Sequence, residues 1–93
     1  MKDLENCRKE IDEIDRRLTE LLVHRLYLAN EIALYKKEKK LPVYDEKREK
    51  SVLDKVSLLA GPGYEEPLTE IFETIMKESK KRQLEIMDWR DGL

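Results

Sequence analysis

The chain has 93 residues, of which 43% are charged and 40% hydrophobic, and its 21 acidic residues slightly outnumber its 19 Lys and Arg residues. No run approaches the roughly 20 apolar residues of a membrane span, and the charged N-terminus lacks the apolar core of a signal peptide. The charge balance argues against a general nucleic-acid binder. The single cysteine, Cys7, excludes an internal disulfide and favours the reducing cytoplasm.

The first predicted element is a long amphipathic helix over about residues 3–40, a segment without Gly or Pro. Its apolar residues recur every three or four positions, as in a helix packed along one seam. Such a helix is about 57 Å long, whereas a compact domain of this size is about 32 Å across. We therefore predict an intertwined homodimer, in which a second chain covers the helix. The seam consists of Leu4, Cys7, Ile11, Ile14, Leu18, Leu21, Arg25, Leu28, Ile32 and Tyr35.

A second, shorter helix is predicted over about residues 46–59. The Leu-Pro pair at 41–42 ends the first helix, because the residue before proline is pushed away from the α region. Asp45 is a suitable N-cap for the second helix. The Gly-Pro-Gly sequence at 61–63 ends it.

A third helix is predicted over about residues 67–88, with Pro67 in its first turn. The expected fold class is therefore all-α, with one long and two shorter helices per chain in a single domain that spans residues 1–93. The last five residues, Trp89–Leu93, form a short tail to which the sequence assigns no function.

Five polar residues occupy positions on the apolar stripes of these helices. Arg25 lies on the seam of the first helix, and Ser79 and Gln83 interrupt the stripe of the third. Arg48 and Glu49 extend the inner face of the second. Each has an ordinary structural alternative, namely a core ion, a solvated side chain or a surface ion pair. Because buried polar groups are costly without partners, their presence on three helices together favours a shared polar cavity.

Two further cations on the first helix are candidates for the same kind of site. Lys36 follows Arg25 by 11 positions, which places it only about 20° away around the helix and about 16 Å along it. The two side chains could close on a small anion, although Lys36 could instead only complement the helix C-terminus. Arg8 lies about 25 Å before Arg25, so it cannot serve the same small site within one helix. It could serve the site of a partner chain in an antiparallel dimer, or it could be an ordinary solvated surface cation.

The charge distribution agrees with an anion site. Residues 36–50 contain seven Lys and Arg against four Asp and Glu, although the whole chain is acidic. A local basic region on an acidic protein suits a small polyanion better than a nucleic-acid backbone. The sequence contains no phosphate-binding loop, zinc pattern or Ser-His-Asp arrangement.

Together these positions resemble the all-helical (AroQ-class) chorismate mutases over essentially the full chain. That family folds as an intertwined dimer of three-helix chains, and each of its two sites borrows one arginine from the other chain. The stretch Ile-Asp-Glu-Ile-Asp at 11–15, followed by Leu-Leu at 21–22, is typical of the family. The resemblance rests further on Arg8, Arg25, Lys36, Pro42, Val43, Asp45, Arg48, Glu49, Ser79 and Gln83.

The resemblance implies that the chain converts chorismate to prephenate in phenylalanine and tyrosine biosynthesis, by a concerted Claisen rearrangement within one dianion and without a cofactor. It implies that Arg8 of the partner subunit and Arg25 bind the two substrate carboxylates. Arg48 and Ser79 would assist. The planar fork of arginine suits a carboxylate.

The resemblance also assigns roles around the reacting atoms. Lys36 and Gln83 would donate hydrogen bonds to the ether oxygen of the breaking C–O bond. Glu49 would accept a hydrogen bond from the ring hydroxyl, with the backbone at Asp45 nearby. Ile32 would pack on the ring.

Two other functions remain open at this point. An isochorismate-pyruvate lyase on the same scaffold would eliminate pyruvate from a related dianion. A non-catalytic dimeric regulatory module is the alternative from a different class, although it would not need so many polar residues on its inner faces. The sequence does not say whether the tail contacts another enzyme of the pathway.

Overall fold

The structure, a computed structural model, describes residues 3–88, and these form three helices without a strand. They are α1 (Leu4–Lys39), α2 (Glu46–Ala60) and α3 (Glu65–Asp88). The prediction of an all-α fold with one long and two shorter helices is confirmed. The predicted tail, Trp89–Leu93, lies outside the described residues. Within residues 3–88, no helix combines the length and the apolar character that crossing a bilayer requires.

Helix α1 runs without interruption because its interior contains no Gly or Pro, and it is capped at both ends. The Asp3 carboxylate accepts a hydrogen bond from the backbone N–H of Asn6 over 2.8 Å and so satisfies one of the free N–H groups of the first turn. At the other end Lys40 adopts left-handed backbone angles, with φ at 57°. This allows the Leu41 amide to donate to the Lys36 carbonyl over 2.8 Å. The chain then turns towards α2.

Helices α2 and α3 begin differently. Asp45 caps α2, because its carboxylate accepts a hydrogen bond from the Arg48 amide over 3.0 Å. Helix α3 begins at Glu65, two residues before the predicted start at 67. The reason is that the first N–H groups of a helix have no partner inside it, so Pro67 is tolerated anywhere in the first turn and does not mark its first residue.

Helix α3 packs against both α1 and α2, whereas the backbones of α1 and α2 do not approach each other closely within the described residues. Ala29 and Ala33, four residues apart on α1, are buried, and their small side chains allow α3 to approach closely. Val56 and Met76 are the other buried apolar residues among residues 3–88. Since this apolar core is so small, a single chain leaves much of its hydrophobic surface in contact with solvent.

The first half of α1 projects beyond the other helices. The chain measures 58 × 28 × 14 Å and has a radius of gyration of 16.8 Å, against about 12 Å for a compact domain of 93 residues. The large apolar seam residues are each between 48% and 65% exposed. The sequence predicted that a single chain would leave this apolar face uncovered. The homodimer, which one chain does not test, stays a prediction.

Candidate active site

A cavity of about 380 Å³ opens where α3 faces the second half of α1 and the start of α2. Its size falls in the usual range for small-molecule sites. Four cationic and two acidic side chains line it, which gives the wall a net positive charge. The lining residues are Arg25, Leu28, Ala29, Ile32, Lys36, Val43, Asp45, Arg48, Glu49, Val52, Met76, Ser79, Lys80 and Gln83.

Two guanidinium groups, those of Arg25 and Arg48, face the cavity from α1 and α2. The pKa of Arg25 is lowered from its usual value, first because burial disfavours its charge and second because Arg48 repels it. Arginine nevertheless stays protonated in proteins. No carboxylate among residues 3–88 forms an ion pair with either group. A bound carboxylate would relieve this repulsion, so the pair is suited to an anion.

Lys36 stands at the end of α1 and reaches the connection to α2. Its half-buried ammonium donates a hydrogen bond to the Val43 carbonyl over 2.9 Å. Because an ammonium has three donors, this bond fixes the position of the nitrogen and leaves others for a ligand. The helix end thus presents an oriented hydrogen-bond donor to the cavity.

Ser79 and Gln83 are the buried polar residues of α3 and lie one turn apart. The Gln83 amide nitrogen donates to the Ser79 hydroxyl oxygen over 3.2 Å. The Gln83 amide oxygen is buried without a hydrogen-bond partner among the described residues. Buried polar atoms are rarely left unsatisfied. The unsatisfied oxygen therefore leaves a hydrogen-bond acceptor at this end of the cavity.

The acidic side chains of the cavity have different surroundings. Asp45 is exposed and uses its carboxylate to cap α2. Glu49 is half-buried and forms an ion pair with Lys80 on α3, with 2.9 Å between its Oε2 and the lysine Nζ. Glu49 is thus the cavity carboxylate whose orientation is fixed by a neighbouring helix.

The predicted site residues therefore fall into two groups. Arg8 is exposed on the projecting half of α1 and does not line the cavity. Ile32 lines the apolar part of the wall and keeps 48% of its surface exposed. The residues that the cavity brings together are Arg25, Ile32, Lys36, Asp45, Arg48, Glu49, Ser79 and Gln83.

Sequence reasoning missed one charged lining residue, Lys80. It stands in the polar run Ser-Lys-Lys-Arg at 79–82, where it is indistinguishable from a solvated surface cation. Its position directly after Ser79, on the helix that carries Gln83, was the available signal. The apolar lining residues Met76 and Val52 were predicted only as parts of helix stripes.

The cavity combines cations with neutral hydrogen-bond donors. Arg25, Arg48 and Lys36 can bind anionic oxygens, and the amide and hydroxyl of α3 can donate to a neutral or partly charged oxygen. No Ser or Cys nucleophile paired with a general base lines it. Within residues 3–88, no group of three or more His, Cys, Asp and Glu side chains could hold a metal ion. The arrangement is suited to binding a small dianion and stabilising charge that develops on it.

Comparison with known proteins identifies what the chain is similar to. A family model described as chorismate mutase type II matches residues 7–84. A chorismate mutase from Methanocaldococcus jannaschii is 29% identical over 90 residues, which cover 95% of this chain and 91% of that protein. A bifunctional chorismate mutase/prephenate dehydratase from Aquifex aeolicus is 33% identical over 81 residues, which cover 82% of this chain but only 22% of that protein. No solved structure gave a significant match.

Proposed function

The chain belongs to the chorismate mutase type II family, and we propose that its cavity converts chorismate to prephenate by an intramolecular Claisen rearrangement. One observation carries this proposal: the side chains expected for that reaction line one cavity, although they come from three helices. The family makes the chain an isomerase of aromatic amino acid biosynthesis. Because Cys7 has no second cysteine with which to pair, we further propose a cytoplasmic location.

The reaction requires a charged substrate to be held in a compact, chair-like conformation. Chorismate carries two carboxylates. We assign one of them to Arg25, with Arg48 and Ser79 assisting, because the two guanidiniums form no ion pair within the described chain and repel each other. Arginine binds carboxylates through two parallel N–H groups, which fixes orientation as well as position. This binding orders the two ends of the substrate for bond formation.

The chemical step breaks a C–O bond and forms a C–C bond within one molecule, so it needs no nucleophile, proton transfer or cofactor. Negative charge develops on the ether oxygen as its bond breaks. We assign the stabilisation of this charge to the Lys36 ammonium and the Gln83 amide. The hydrogen bond from Lys36 to Val43 holds the ammonium in place before the reaction begins. Donors that are already oriented in the free enzyme lower the barrier most effectively.

The remaining residues position the ring. Glu49 accepts a hydrogen bond from the ring hydroxyl in this proposal, with the backbone at Asp45 close by. Ile32 packs on the apolar face of the ring. Neither contact changes much during the reaction, so both contribute mainly to binding.

We propose that the active enzyme is a homodimer in which Arg8 of the partner subunit binds the second carboxylate. The exposed apolar seam of α1 supports the dimer, since exposed apolar patches of this extent usually mark an interface. The distance of about 25 Å between Arg8 and Arg25 along α1 excludes a shared site within one chain. An antiparallel arrangement of two α1 helices would place each Arg8 beside the other chain's cavity.

Small-angle scattering and sedimentation test the dimer. We expect the mass of two chains for the wild type and a shift to one chain for Leu18→Glu, because a dimer would bury that unpaired carboxylate. Thr19→Glu is a matched control: it adds the same charge at the next position, which lies off the seam. A monomeric wild type would overturn the dimer.

The function itself is tested by adding chorismate and following the loss of its diene absorbance, with identification of the product. Prephenate supports the mutase. Pyruvate release from isochorismate would support the lyase instead, and no turnover with either compound would support a non-catalytic module. Among residues 3–88, the buried Gln83 amide oxygen has no hydrogen-bond partner, and Arg25 and Arg48 form no ion pair. Both observations favour a ligand site over that module.

The role of Gln83 predicts a changed pH dependence in Gln83→Glu. A carboxyl group donates a hydrogen bond only when protonated. We therefore expect the kcat of the variant to rise as pH falls through the pKa of the new glutamic acid, whereas the wild type lacks this dependence.

Gln83→Ala is the control for this experiment, because it has neither donor nor charge. It should lose activity at every pH without acquiring the acid-side rise. A Gln83→Glu profile parallel to that of the wild type would contradict the assignment of Gln83 to the ether oxygen.

A further inference from the structure

Lys80 contacts two other parts of the chain, one of which, Glu49, also lines the cavity. It projects from α3, and its ammonium lies 2.9 Å from the Glu49 carboxylate on α2. The same ammonium lies 5.0 Å from the centre of the Tyr44 ring, in the connection between α1 and α2. Such a distance permits a cation–π interaction. Since two partners hold it, Lys80 is fixed in place where a surface lysine would move freely.

The neighbouring lysine shows that this arrangement is not typical of α3. Lys81 also forms an ion pair, with Glu78 at 3.2 Å, but those side chains are 60% and 52% exposed. The side chains of Lys80 and Glu49 are 32% and 25% exposed. Exposed ion pairs contribute little because water and salt screen them, whereas a partly buried pair is screened less. Lys80 therefore restrains its partner more strongly than Lys81 does.

Glu49 needs such a restraint because of its proposed role. A carboxylate beside a dianionic substrate is repelled by it, and a free carboxylate can rotate or swing away from the ring hydroxyl. An ammonium bonded to one carboxylate oxygen offsets the repulsion and leaves the other oxygen to accept a hydrogen bond. The geometry at Glu49 Oε2 meets this requirement.

We propose that Lys80 is a positioning residue that acts through Glu49: it holds the carboxylate in the orientation that accepts the ring hydroxyl of the substrate. The inference rests on the proposed mutase function. Lys80 does not bind the substrate itself in this account, and the Tyr44 ring gives its ammonium a second contact. The effect is on binding, because the hydroxyl contact is the same in the ground state and the transition state.

Lys80→Met tests the proposal, since it keeps an unbranched side chain of nearly the same length and removes the charge. We expect KM to rise about tenfold. This loss of affinity lies between the losses typical of an exposed ion pair and of a buried charged hydrogen bond. We expect kcat to change by no more than about twofold. Lys80→Arg, which retains a cation able to pair with Glu49, should keep most of the affinity. A large fall in kcat with KM unchanged would overturn the inference.

A double-mutant cycle separates positioning from direct attraction between Lys80 and the substrate. In the Glu49→Gln background there is no carboxylate to orient, so Lys80→Met should raise KM by less than about threefold. Direct attraction does not depend on Glu49 and would give the same increase in both backgrounds. That additive result would overturn positioning.

Lys81→Met is the matched control, because it removes the adjacent α3 lysine and its exposed ion pair. It should leave both kinetic constants unchanged. Thermal unfolding of each variant shows whether the fold persists, and Lys80→Gln, which also lacks the charge, supplies the measurement if Lys80→Met unfolds. A wild type without mutase activity would refute the proposed function and with it the role of Lys80. An active wild type with an unaffected Lys80→Met would refute the role of Lys80 alone.

Discussion

Replacing Lys36 by alanine should lower kcat by about 10²–10³, the usual cost of one oriented donor to developing negative charge. The reaction is already unimolecular, so an enzyme gains nothing from bringing two reactants together. Electrostatic stabilisation of the transition state must then supply much of the rate enhancement. Negative charge develops on the ether oxygen, and Lys36 carries the full positive charge that is assigned to stabilise it.

The effect should appear in kcat more than in KM. Charge on the ether oxygen increases as the C–O bond breaks, so the hydrogen bond from Lys36 strengthens in the transition state. Steady-state kinetics of the variant, followed at the diene absorbance, measure both constants. A rise in KM alone would assign Lys36 to ground-state binding of a carboxylate.

Two variants control for structural effects at this helix end. Lys36 also bonds to the Val43 carbonyl, so its loss could loosen the connection to α2. Lys36→Arg retains a cation and donors for that carbonyl, and it should preserve the melting temperature while still losing turnover. Lys39→Ala removes an exposed cation of the same helix turn and should leave kcat unchanged. Near-normal turnover in Lys36→Ala would contradict the assignment.

The sequence predicted the helices because their signals are local. The apolar spacing of α1, the Asp45 cap and the Gly-Pro-Gly stop act over a few residues and do not depend on tertiary packing. The start of α3 was placed two residues late because Pro67 is compatible with several positions in a first turn. The left-handed Lys40 was not foreseen, because a lysine carries no preference for that conformation.

The candidate site was predictable where a polar residue interrupts an apolar stripe. Arg25, Ser79 and Gln83 do so, and they line one cavity. Lys80 was missed because its neighbours are also polar, so nothing in the local pattern separates it from a solvated lysine. Its partners, Glu49 and Tyr44, are distant in sequence and meet it only through the packing of α3 on α2.

Arg8 does not line the cavity of its own chain. Its proposed role in the partner's site is therefore tested with dimers that combine two different variants. We expect Arg8→Ala and Lys36→Ala each to be nearly inactive as homodimers. In a mixed dimer, the cavity of the Arg8→Ala chain keeps its own Lys36 and receives an intact Arg8 of the partner subunit. That site is complete, whereas the other site of the same dimer lacks both residues.

Mixing the two inactive variants should therefore restore activity. Equal amounts with free exchange of chains give half mixed dimers, each with one complete site, so about a quarter of the wild-type activity per chain should return. Mixing Lys36→Ala with Gln83→Ala is the matched control: both changes lie in the cavity of their own chain, so every site keeps one defect. Chain exchange is followed by mass spectrometry of differently labelled chains. Exchange without recovery would show that Arg8 does not act in the partner's site, because each mixed dimer would then contain a defect in both of its cavities.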